Sequence, residues 1–206
     1  MGSINRFNIA ELMERYHLKN YVESGTGSGT CLEFVMQYPF DSFHSIEIYK
    51  EVYDKAIEKF VSIQKLYDRE CNIILGNSYE VLPSILTGLK AQENTLFFLD
   101  AHFPGADFGH QKHGDEKNAD KRIPLEREIE TIVKNRDTSR DVIIADDLRI
   151  YEDGPYAAGN WSDRKLIGGS GIDFVEKHLG ETHKMLRDYR DQGYILLVPH
   201  EVKEIE

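Results

Sequence analysis

The ten residues Tyr21-Val22-Glu23-Ser24-Gly25-Thr26-Gly27-Ser28-Gly29-Thr30 constrain the fold of this chain more than any other stretch. A short apolar run ends in an acid, three glycines alternate with small hydroxyl residues, and Cys31-Leu32-Glu33-Phe34 then opens a helix-like pattern. Glycine lacks a Cβ, so the backbone can turn sharply there and a ligand can approach it closely. A helix placed directly after such a turn presents unpaired N–H groups and the positive end of its dipole. In a parallel sheet, a strand–turn–helix of this kind is a place for a nucleotide-like ligand.

Around this stretch no internal repeat is found, and short apolar runs alternate with amphipathic ones, the α/β pattern. Residues 8–18 read as a helix with Ile9, Leu12, Met13 and Tyr16 on one face and Asn8 as its cap. Strands are expected at 21–24, 43–48, 72–75, 95–99 and 141–145. Helices are expected at 31–37, 51–63, 79–89 (with Pro83 near its first turn), 124–134 and 173–179, the last closed by Gly180. Residues 183–189 and 194–199 read as an antiparallel hairpin. Residues 103–122 and 151–171 carry no period and read as long loops of the kind that form lids or substrate walls. Tyr151, Tyr156 and Trp161 in the second loop either line a pocket or pack the loop onto the domain. The whole, residues 1–206, is expected to be one domain, with residues 1–19 as an N-terminal helical segment.

Charge narrows the partners. The formal net charge is -11, which argues against a nucleic-acid backbone or an anionic membrane as the main partner. The two cysteines, Cys31 and Cys71, lie far apart with no CxxC or Cys/His spacing. A zinc site or a disulfide framework is not expected, and a cytoplasmic location is. No apolar run reaches the length of a signal core or a membrane span.

The polar residues of interest fall at the ends of the expected strands: Glu23, Glu47, Asn77, Asp100, Asp146 and Asp147. That edge of an open parallel sheet is where ligands bind. A dinucleotide fingerprint counted from Gly25 needs glycine where Thr30 stands, and no Gly-Lys-Ser/Thr of a P-loop occurs. What remains is Glu23-x-Gly25-x-Gly27-x-Gly29, followed about 20 residues on by Glu47, a spacing at which an acid can accept both ribose hydroxyls. This pattern resembles the first motif of class I S-adenosylmethionine-dependent methyltransferases, and the resemblance extends over about residues 20–200 of the chain. It implies a Rossmann-like fold, with a seven-stranded mostly parallel sheet, a C-terminal antiparallel hairpin and helices on both faces. It also implies S-adenosyl-L-methionine as cofactor. Glu23 would meet the amino group of the methionine moiety, and Gly25, Thr26, Gly27 and Gly29 would pass beneath the cofactor. Glu47 would hold the ribose, and Asn77 and Ser78 would face the adenine, with Asn77 standing where the family commonly has aspartate. The alternative for Asn77 and Ser78 is an N-cap.

Leu99-Asp100-Ala101-His102 and Ala145-Asp146-Asp147 end two further strands. Three carboxylates brought together repel one another unless a cation joins them, and oxygen ligands of this type suit magnesium, manganese or calcium. Together with Pro124-Leu125-x-x-Glu128-Ile129, these runs resemble the cation-dependent O-methyltransferases and the macrocin O-methyltransferase branch. That resemblance implies Mg2+ (or Mn2+) on Asp100, Asp146 and Asp147, with Asp100 also bordering the cofactor. The ion would lower the pKa of the acceptor hydroxyl. Catechol-type relatives place a lysine base shortly after the fourth-strand acid, where Phe103 and Pro104 stand here. His102, beside Asp100, is the nearest group able to take a proton near neutral pH, or else a histidine that only supports the aspartate. The expected activity is methyl transfer to a hydroxyl of a small, oxygen-rich acceptor, with homodimerisation expected by analogy. Three alternatives stand beside it: a metal-independent methyltransferase, an NAD-dependent oxidoreductase and a non-catalytic cofactor-binding protein.

Overall fold

The structure is a computed structural model, and it describes residues 3–101, 119–157, 159–161 and 171–200. Seven strands form one sheet: β1 (Leu18–Ser24), β2 (Ser42–Glu47), β3 (Asn72–Leu75), β4 (Asn94–Leu99), β5 (Val142–Asp146), β6 (His183–Asp188) and β7 (Tyr194–Pro199). Their order is β3-β2-β1-β4-β5-β7-β6. The pairs β1–β2, β1–β4, β2–β3 and β4–β5 are parallel, and β7 runs antiparallel to both β5 and β6. The helices are α1 (Ile9–Tyr16), α2 (Thr30–Val35), α3 (Lys50–Tyr67), α4 (Ser78–Gly88), α5 (Ala119–Arg122), α6 (Leu125–Asn135) and α7 (Asp173–Leu179). The expected Rossmann-like α/β architecture is the one observed.

The sheet is covered on both faces, which is why its central strands read as unbroken apolar runs. Tyr21, Leu96, Phe98, Val142 and Ile144 point to one face and pack with Ile9, Leu32, Phe60 and Ile63 from α1, α2 and α3. Val22, Phe97, Leu99, Ile143 and Ala145 alternate to the other face, where Leu82, Ile129, Phe174 and Val175 of α4, α6 and α7 cover them. The strand order reverses between β1 and β4, whose last residues, Ser24 and Leu99, are in register. This is the topological switch point, where a doubly wound sheet leaves a crevice.

Several boundaries differ from expectation for local reasons. The first helix stops at Tyr16, because His17 takes a left-handed conformation at φ 51° and turns the chain into β1. β1 therefore starts at Leu18 instead of Tyr21. α3 runs on to Tyr67. Its apolar stripe fades because the last turn is solvated and Leu66 is exposed. Pro83 lies inside α4 instead of in its first turn. Residues 119–122 are helical where a loop was expected, and residues 102–118 lie outside the described part. Gly180 does follow α7, at φ -60°, so it is not a left-handed cap. Tyr151 and Tyr156 pack onto the domain, against Phe174 (5.7 Å between ring centres) and Tyr189 (5.4 Å). None of the described helices is long and apolar enough to cross a membrane.

Candidate functional site

The switch point is built first from backbone. Gly25, Gly27 and Gly29 all hold positive φ, at 83°, 53° and 73°, a region closed to most side chains. At Gly25 an added Cβ would also lie 2.6 Å from the Asp100 carbonyl oxygen, so the turn after β1 presses directly on the exit of β4. Asp100 N–H donates to Ser24 O at 3.1 Å across the same gap.

The amides of the turn point inward. Gly25 and Thr26 N–H both donate to Ile46 O (2.9 and 3.1 Å), and Gly29 N–H donates to Thr26 O (2.8 Å). Gly27 N–H donates to the Glu47 carboxylate (2.9 Å). The other Glu47 oxygen accepts Tyr49 N–H at 2.9 Å. Each carboxylate oxygen has two lone pairs, so Glu47 retains one acceptor site per oxygen after these bonds. Gly76 N–H donates to Glu47 O (2.8 Å), which brings the end of β3 alongside.

Glu23 is 1% exposed. The Tyr21 hydroxyl donates to one of its oxygens (2.6 Å) and the Ser45 hydroxyl to the other (2.7 Å). Ser45 Oγ also hydrogen-bonds Thr26 Oγ1 in the turn. Burial pushes the Glu23 carboxyl up to about 7, against the pull of its two hydroxyl donors, with Asp100 and Glu47 adding to the rise. Burial likewise raises the Tyr21 phenol well above its ordinary value and the Cys31 thiol to about 12, and both also feel Glu23 and Asp100. Glu23, Glu47 and Asp100 therefore share one acidic corner at the end of β1, β2 and β4.

Asn77 occupies the residue before α4 and is 8% exposed. Its side chain makes no capping bond, and its Nδ2 is buried without a hydrogen-bond partner among the described residues. Ser78 is the buried first residue of α4. This buried amide follows β3 directly, at the same strand ends as Glu23 and Glu47.

The expected metal set behaves differently. Among the described residues no group of three or more His, Cys, Asp or Glu is placed to hold a metal ion, so Asp100, Asp146 and Asp147 are not brought together as one. The physical reason lies in the exit of β5. Val142 and Ile144 face the first cluster, so Asp146 by alternation faces the same side as Asp100, and its charge acts on Tyr194 there. Asp147 takes a left-handed φ of 58°, and its charge acts on Tyr151, which packs against the opposite cluster. The two consecutive acids thus act on tyrosines that belong to different clusters. His102, the candidate base, lies outside the described residues. A groove of about 480 Å³ between α1 and the β6–β7 hairpin, lined by Leu12, Tyr16, Leu196 and Val198, lies at the other end of the strands.

The residues that sequence reasoning missed are Tyr21 and Ser45. The available signal was alternation: Tyr21 and Glu23 are two apart on one strand, and Glu23 is in register with Ser45 on the next.

No protein-family model matches the sequence, and no curated protein matches it. Solved structures do share the fold. A protein from Staphylococcus aureus provisionally assigned as a caffeoyl-CoA O-methyltransferase aligns at a TM-score of 0.61 and 15% identity, over 93% of this chain and 80% of that one. An O-methyltransferase from Bacillus cereus in complex with SAH aligns at 0.57 and 15% identity, over 92% and 77%. An rRNA methylase from Streptococcus thermophilus aligns at 0.53 and 11% identity, over 95% and 98%. The shared feature is the fold; one of these neighbours is named for caffeoyl-CoA and another for rRNA.

Proposed function

We propose that the chain is an S-adenosylmethionine-dependent methyltransferase acting on a hydroxyl of a small, oxygen-rich acceptor. The observation that carries this reading is the acidic glycine turn at the switch point. Four of its amides donate inward, and Glu23, Glu47 and Asp100 crowd it. A dinucleotide needs such amides for its pyrophosphate and would meet carboxylates instead. A cofactor bearing an ammonium and a sulfonium is attracted by the same corner. The likeness in fold to methyltransferases supports the choice.

In this reading the cofactor's ribose hydroxyls use the acceptor sites left on Glu47, and the adenine lies beside Asn77 and Ser78. Transfer is a direct displacement: the acceptor oxygen forms a bond to the methyl carbon while the carbon–sulfur bond breaks, and sulfur leaves as a neutral thioether. Holding the two reactants in line supplies much of the rate. The acceptor's proton passes to a base, for which Asp100 and His102, two residues on in sequence, are the candidates. Assistance by Mg2+ or Mn2+ needs a donor set that the described residues do not form, so no step is routed through an ion.

Calorimetry tests the reading. S-adenosylhomocysteine is expected to bind and NAD not to, and Glu47→Ala should weaken S-adenosylhomocysteine about tenfold or more, the order of a lost charge-assisted bond. Micromolar NAD affinity with no S-adenosylhomocysteine signal would overturn it. Methyl transfer to small phenolic or sugar hydroxyls is expected to survive a chelator. Loss of turnover in chelator, restored by magnesium and abolished in Asp100→Ala, would assign the metal-assisted form instead.

A further inference from the structure

The acid that opens the glycine turn is already engaged on both of its oxygens. Glu23 accepts Tyr21 Oη–H and Ser45 Oγ–H, and Tyr21 and Ser45 are themselves fully buried. A hydroxyl has one proton. Ser45 gives its proton to Glu23, so the Thr26–Ser45 bond must use the Thr26 proton. The result is a one-way chain: Thr26 donates to Ser45, Ser45 donates to Glu23, and Tyr21 closes it from the other side. Thr26 is the turn residue whose amide already rests on Ile46 O. The side-chain chain therefore fastens the turn to β2 a second time, from beneath.

Among the described residues, the charges that act on Glu23 are of one sign. Asp100 follows β4, Glu47 ends β2, and the thiols Cys31 on α2 and Cys71 before β3 sense its field.

We propose that Tyr21, Ser45 and Glu23 are positioning residues that set the glycine turn from behind, and that Glu23 does not itself touch the cofactor. The ligand part of this proposal rests on the cofactor reading above; the part concerning the turn does not. Each Glu23 oxygen keeps a second lone pair, but the residue is 1% exposed, so a ligand ammonium would have to displace the groups that cover it to reach either one. The turn instead arrives already shaped, and its cost of ordering is met at folding.

The test uses two ligands and one measurement without ligand. S-adenosylhomocysteine carries the amino-acid moiety, and 5′-methylthioadenosine lacks it. Tyr21→Phe and Ser45→Ala are expected to weaken both by the same factor, about fivefold for one hydrogen bond, and Glu23→Gln is expected to treat the two alike. In the ligand-free protein, hydrogen exchange over residues 24–30 should quicken about tenfold in Tyr21→Phe and Ser45→Ala. Glu23→Gln weakening S-adenosylhomocysteine while sparing 5′-methylthioadenosine would overturn the proposal, because it would place the carboxylate on the ammonium. Unchanged exchange in both hydroxyl variants would overturn it as well. If neither ligand binds the wild-type protein, the cofactor reading fails, and the exchange measurement alone decides the positioning role. Thr26→Val, a near-isosteric change that breaks the chain at its turn end, is the substitute if neither hydroxyl variant folds.

Discussion

Gly25 carries two independent demands, a φ of 83° and a carbonyl 2.6 Å from where a Cβ would stand. Gly25→Ala must therefore open the β1–β4 gap as well as strain its own backbone. It is expected to abolish S-adenosylhomocysteine binding and to lower stability by about 1–3 kcal/mol, read by calorimetry and by urea unfolding. Glu23 makes a prediction through pH. Its folded pKa, about 7, is raised above the ordinary 4.5. Below the ordinary value both states are protonated. As pH rises toward 7 the unfolded carboxyl ionises first, so the contribution of this group to stability is lost as pH passes through its folded pKa. The loss is of the order of 3 kcal/mol. The melting temperature of Glu23→Gln minus that of the wild type should thus become more positive between pH 5 and pH 8, and a flat difference would contradict the assigned burial cost. Glu23 and the glycines were legible in the sequence because their spacing is a motif. Tyr21 and Ser45 were not, since their part depends on the register of two strands that no local pattern reports. At Asp146 and Asp147 the chain leaves β5 through a left-handed residue, a turn that the Asp-Asp pair alone does not report.

Among the elements, β4 and β5 are secured at the end remote from the candidate site. Asp141, just before β5, accepts Arg136 Nε at 2.7 Å and Thr95 N–H at 2.7 Å. Arg136, at the end of α6, also donates to Glu93 O at 2.8 Å. His183 Nε2, at the start of β6, meets Asp141 O at 3.0 Å. The ion pair is buried, with side chains 7% and 1% exposed. Asp141→Ala leaves the Arg136 guanidinium without its carboxylate in that site, and a loss of about 3–5 kcal/mol is expected in urea titration with an unchanged slope. S-adenosylhomocysteine affinity should stay within about twofold for the folded fraction, because the site lies at the other strand ends. The elements themselves were mostly readable from period alone. Where the reading fell short, as in the last turn of α3 and the first residues of β1, side chains face solvent or the strand is set by a left-handed residue.

Across the whole molecule, the residues before α1 act as a strap. Arg6 pairs with Asp191 through two bonds of 2.8 and 3.1 Å, and Ser3 N–H donates to the Tyr194 hydroxyl at 2.9 Å. That hydroxyl in turn donates to Asp191 at 2.9 Å. Phe7 packs edge-on against Tyr194, and Ile4 is buried against the α2 side of the sheet. An exposed ion pair contributes only about 0–1 kcal/mol, so Asp191→Ala should barely move the melting temperature. It should nevertheless speed tryptic cleavage after Arg6 several-fold, since opening of the strap is local. Unchanged cleavage would mean that Ile4 and Phe7 alone hold the segment. None of this was legible beforehand: the strap joins residues separated by 185 positions through bonds between common surface side chains.

The position of β7 has a consequence for how the chain is made. Among the described residues β7 is the last strand in sequence, yet it lies between β5 and β6. A growing polypeptide that has emerged only as far as residue 190 has every parallel strand in hand but no neighbour for the outer edge of β5, whose Val142-Ile143-Ile144-Ala145 run is fully buried in the finished protein. Open apolar edges of this kind recruit other chains. The interval between synthesis of β5 and insertion of β7, about 50 residues at roughly 5–20 residues per second, is therefore the period in which a nascent copy is most exposed to misassembly on the ribosome.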